Sequence, residues 1–197
     1  MLAISSHQVL PPLPKGDFEA FPIVFLRHPI VRVRSAYLFE WKIQLGLSEP
    51  KGSFSDYVRE KLDPKNHGPI SNYHVHQLSN TAYAGDTPKH SSVPSEKLEK
   101  AKAFLLELPF FGLVECFQES LERLHFYLKY HFPDLQVVNR QVNTTQDSAV
   151  SLEHKLLNIR RELGEALYGE LLDRNKLDLD LYKFAHAQFN AVVPRES

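Results

Sequence analysis

The chain has 197 residues, 43% of them hydrophobic and 24% charged, which suffices for one domain with its own core. Its formal net charge of −1, with ten His taken as neutral, excludes an overall field that would draw it to nucleic acid or to an anionic membrane surface. A single cysteine, Cys116, excludes an intramolecular disulfide, and in the run Leu113-Val114-Glu115-Cys116-Phe117 it reads as a small buried residue.

Residues 1–20 hold a short apolar stretch, Leu2 to Ser5, then His7 and the Pro-rich loop Pro11-Pro12-Leu13-Pro14-Lys15-Gly16. They lack the basic start and continuous apolar core of a signal peptide. No stretch approaches the roughly 20 apolar residues that span a bilayer. A cytoplasmic location is the expectation, with membrane attachment left to any anchor outside the chain.

Ile23 to Leu26 is rich in β-forming residues and predicts a strand. Pro29 suits a first helical position, because the N–H it lacks would be unsatisfied there anyway. Ile30, Val33, Tyr37 and Trp41 then follow at helical spacing. Ser53 and Asp56 predict a capped helix carried by Phe54, Tyr57, Val58 and Leu62. Asn72 to Ser79 predicts another short helix, and residues 80–94 a long loop. Ser95 is the expected cap of a helix bearing Leu98, Ala101, Leu105 and Leu108.

Phe110 to Val114 predicts a second strand. A helix joins the two strands through a long crossover, so they should run parallel. Phe117 to His131, Ser151 to Leu172 and Asp178 to Asn190 complete the helices. The expected fold class is α/β, a small, mostly parallel sheet flanked by helices in one domain spanning 1–197.

Candidate chemistry centres on residues 21–41. Arg27 should sit at the carboxyl end of the first strand, and Ser35 two turns into the helix that leaves it. Ligands of open α/β sheets bind beyond strand carboxyl ends, beside helix N-termini. A cation, helix N–H groups and a hydroxyl together make a site for a phosphate dianion. Arg32 and Arg34 should point away from the face of Ser35, Arg32 ordering the turn and Arg34 solvated. A surface ion pair is the competing role for Arg27.

The spaced pattern Arg27-x-Pro29-x-x-Arg32-x-x-Ser35-x-Tyr37 after an apolar strand resembles the 3′-phosphate motif of sulfotransferases that use 3′-phosphoadenosine 5′-phosphosulfate. It is most similar to carbohydrate sulfotransferases of the heparan sulfate 2-O type, although His28 stands where that group usually has Asp. The segments Asn72-Tyr73-His74-Val75-His76-Gln77-Leu78, Phe111 to Leu121, Val142 to Thr145 and Leu177 to Phe189 resemble further family segments in the same order. The resemblance implies a P-loop-like sulfotransferase fold and transfer of a sulfuryl group to a carbohydrate hydroxyl, with no metal. It implies that Arg27 and Ser35 bind the cofactor, that His7 is the general base, and that Asn72 and His76 line the acceptor groove. His is suited to the base role by a pKa near working pH; by spacing alone, His7 reads as a surface residue. His replaces both a Gln and an Arg of the family segment at 74 and 76.

The same resemblance calls for an N-terminal loop that holds the 5′-phosphosulfate through backbone N–H groups and a Lys. Pro14-Lys15-Gly16 is not such a loop, because no apolar strand precedes it and no helix follows before the next strand. Two expectations stand side by side: a piece of an active sulfotransferase with impaired turnover, or a degenerate homologue acting as a binding domain.

Overall fold

The computed structural model describes residues 11, 13, 16–63, 70–79, 95–136 and 150–191. The chain is α/β, mostly helical, with a small sheet of two parallel strands, β1 (Val24–Leu26) and β2 (Phe111–Leu113). Val24 pairs with Phe111, Phe25 with Gly112 and Leu26 with Leu113. The parallel pairing expected from the long crossover is present. Gly112 is required by close approach: a Cβ there would stand 2.6 Å from the Phe25 ring and 2.9 Å from Ser120 Cβ. Ser120, fully buried, accepts from the Leu113 N–H at 2.9 Å and donates to the Leu113 carbonyl at 3.0 Å, which satisfies the end of β2.

Seven α-helices surround the strands among the described residues. They are α1 (Pro29–Phe39), α2 (Phe54–Leu62), α3 (Tyr73–Leu78), α4 (Glu96–Glu107), α5 (Phe117–Leu128), α6 (Leu152–Arg174) and α7 (Lys176–Ala191). Pro29 opens α1 as expected, and a five-residue π-helical stretch, Glu40–Gln44, ends it. Ser53 caps α2, accepting from the Asp56 N–H at 3.1 Å. All four apolar residues expected on α2 are buried. Ser95, expected to cap α4, has helical backbone angles and makes no side-chain cap bond.

The long α6 is not one continuous rod. Gly164 (φ 74°, ψ 163°) interrupts it with a backbone conformation open only to glycine. Cys116 is only half-buried, packed against the core edge. No helix among the described residues is long and apolar enough to cross a membrane.

The apolar side chains gather in two clusters. One joins α1, α2 and α6 through Ile30, Val33, Phe54, Val58, Ile159 and Leu171. The other joins the sheet to α3, α4 and α7 through Leu26, Val75, Leu105, Leu113, Leu181 and Phe189. Burial at this density supplies the main driving force for the fold.

Candidate functional site

Arg27 and Ser35 line one cleft. The cleft runs along the flank of α1, where Arg27, Val31, Arg34, Ser35 and Leu38 form one wall. Val31, Arg34, Ser35 and Leu38 are three or four residues apart from turn to turn, so they share one face of α1, and Arg27 adjoins it from the segment before the helix. The other wall is the first arm of α6, before the Gly164 kink: Lys155, Asn158, Ile159 and Glu162. Ser55 on α2 ties that arm in place by donating to the Glu162 carbonyl at 2.9 Å.

Arg34 is not simply solvated. Its guanidinium donates to Glu162 at 2.6 Å and lies 4.6 Å from the centre of the Phe54 ring. Packing of α2 and α6 against α1 bends this long side chain into the cleft. Arg32 turns the other way, over the Tyr73 ring at 4.1 Å and towards Asp178. The Ser35 hydroxyl donates to the Val31 carbonyl at 3.1 Å. It must rotate off that carbonyl to donate to an anion, while its lone pairs stay open.

The N-terminus of α1 departs from expectation. The His28 N–H, at the cap position, donates to Glu115 Oε1 at 3.0 Å. Tyr182 donates to the other oxygen, Oε2, at 3.0 Å. An internal carboxylate therefore already occupies this helix end, as the positive end of the helix dipole favours. The cleft that Arg27 and Ser35 share lies along the helix side instead. The His28 ring stands edge-on to Tyr182, 5.2 Å between centroids, and burial lowers its pKa to about 4.

Asn72 and His76 are built into the frame. Asn72 has left-handed backbone angles, which Asn tolerates, and its side-chain oxygen accepts from the Leu177 and Asp178 N–H groups at 3.0 and 3.1 Å. Asp178, fully buried, accepts in return from the His74 and Val75 N–H groups at 2.9 and 2.8 Å. Each residue thus caps the other's helix, α3 and α7. Asn175 adds bonds to the Ile70 carbonyl at 2.8 Å and from the Asn72 N–H at 3.2 Å. His76 is 5% exposed, whereas Asn72 is half-buried with its side-chain oxygen engaged by the α7 N–H groups. His7 and Val142 to Thr145 lie outside the described residues.

Burial pushes the Asp178 carboxyl up to about 6, against the opposing pull of the Val75 and His74 N–H groups and of Arg32. Burial, helped by the Arg32 charge, lowers His74 to about 3. Among the described residues no three His, Cys, Asp or Glu side chains are placed to share a metal ion.

No family model matches the sequence. No solved structure matches it. An "Uncharacterized protein" of Archaeoglobus fulgidus is 32% identical over 178 residues, covering 87% of this chain and 67% of the relative. This chain belongs to that protein's family. In this member of the family, the residues that sequence reasoning passed over are Lys155, Asn158, Glu162 and Asp178. Asp178 carried a signal: it sits on the same helical stripe as Leu181, Tyr182, Ala185 and Phe189, where a carboxylate must be buried. The three cleft residues of α6 carried none, because exposed polar residues on a long helix read as its solvated face.

Proposed function

We propose that this chain is a sulfotransferase-type domain whose cleft between α1 and α6 receives the 3′-phosphate of 3′-phosphoadenosine 5′-phosphosulfate. The observation that carries the reading is the convergence of Arg27 and Ser35 on that one cleft, next to the carboxyl end of β1. The guanidinium supplies a charge-assisted pair of donors, and the hydroxyl supplies a third once it leaves Val31. The P-loop-like sulfotransferase fold is part of the same proposal.

The reaction would pass the sulfuryl group in line to a carbohydrate hydroxyl, with adenosine 3′,5′-bisphosphate leaving. His7 is the proposed base for that hydroxyl's proton. Asn72 contributes by holding α3 against α7. A non-catalytic binding domain that retains the 3′-phosphate half of the site is the second reading, favoured by the Glu115 carboxylate already seated at the N-terminus of α1.

Titration calorimetry with adenosine 3′,5′-bisphosphate tests the first claim. Arg27→Ala should weaken binding by about tenfold or more, the scale of one charge-assisted pair. Unchanged affinity would remove Arg27 from the phosphate site. Turnover of a carbohydrate acceptor, with and without His7→Ala, then separates the enzymatic from the binding-only reading.

A further inference from the structure

We propose that α6 supplies the second half of the anion site, with Lys155 a direct ligand of the phosphate and Glu162 a resident competitor for Arg34. This rests on reading the cleft as the phosphate site. Among the described residues, the cations Arg27, Arg34 and Lys155 line it together with the carboxylate of Glu162.

The three cations are not equally available. Arg34 is engaged by Glu162 at 2.6 Å, with the two side chains 30% and 41% exposed. Lys155 makes no ion pair or side-chain hydrogen bond among the described residues; only its backbone N–H is used, donating to Ser151. Lys155 lines the cleft one helical turn from Asn158, whose amide offers a further donor. Val31, Leu38 and Ile159 line the same cleft, and their apolar surface strengthens each charge interaction above them. The cleft therefore holds Lys155 ready for the first contact. Arg34 is recruited only when the incoming phosphate outcompetes Glu162. Phe54, stacked under the guanidinium, keeps it in place during the exchange.

The test is calorimetry on the whole chain with adenosine 3′,5′-bisphosphate, and with adenosine 5′-monophosphate as the probe that lacks the 3′-phosphate. Four proteins are compared: wild type, Lys155→Met, Glu162→Gln and Arg27→Ala. Lys155→Met should weaken the bisphosphate about tenfold and leave the monophosphate unchanged, while Glu162→Gln tightens the bisphosphate severalfold. Lys155 is half-buried, and equal melting temperatures will show that the variant is folded. If Arg27→Ala loses binding while Lys155→Met does not, the α6 assignment is overturned and the phosphate reading stands. If Arg27→Ala also binds as wild type does, or wild type shows no preference for the bisphosphate, both are overturned.

Discussion

His28 and His74 are held neutral by burial, at about 4 and about 3, while Asp178 is pushed up to about 6. The signs oppose each other. An unfolded chain takes up protons on both His as pH falls below about 6.5, and the folded chain does not, so each His removes stability on acidification. Asp178 acts the other way between about 6 and its unfolded value near 3.8, because the folded carboxyl takes its proton first. Two groups against one leave a net loss. Stability should fall by a few kcal/mol from pH 7 to pH 4.5, read from urea unfolding midpoints. His28→Gln should flatten that slope by about one proton; an unchanged slope would exclude His28 as a contributor. At Gly112 the issue is space alone. Gly112→Ala drives a methyl into the Phe25 ring and Ser120, and a loss of about 1–3 kcal/mol is expected in the same assay.

The kink in α6 gives two arms with separate duties. The first arm carries Lys155, Asn158 and Glu162 to the cleft, and the second carries Leu167 and Leu171 into the core. Gly164→Ala puts a Cβ where φ is 74° and should cost about 1–3 kcal/mol. It should also weaken adenosine 3′,5′-bisphosphate binding by realigning the first arm. Stability loss with unchanged affinity would show that the kink does not align the site. Elements like α2 were legible from the sequence because spacing and cap chemistry agree locally. The parallel pair β1 and β2 was legible from the crossover length. Half of the cleft was legible too, since Arg27 and Ser35 share one strand-helix unit. The other half was not: Glu162 meets Arg34 across 128 residues of chain, a pairing fixed by how α2 and α6 pack on α1. The seat of Glu115 against His28, 87 residues away, was hidden for the same reason.

At the scale of the whole molecule, two apolar clusters are joined by a polar seam of Asn72, Asn175, Asp178 and Arg32. Asp178→Ala would leave the His74 and Val75 N–H groups and the neighbouring Arg32 charge without that carboxylate. A loss of about 3–5 kcal/mol follows from breaking a buried charged contact, measurable by thermal or urea unfolding. Asp178→Asn, which keeps one acceptor, should lose less. The bonds of this seam span 103 to 106 residues. During synthesis, at about 5–20 residues per second, α3 is made roughly 5–20 s before the residue that caps it. For that interval Val75 and Leu78, both core residues in the finished protein, have no α7 to cover them. The nascent chain thus carries uncovered apolar surface through that interval, and translation slowed between α3 and α7 should lengthen its exposure to aggregation.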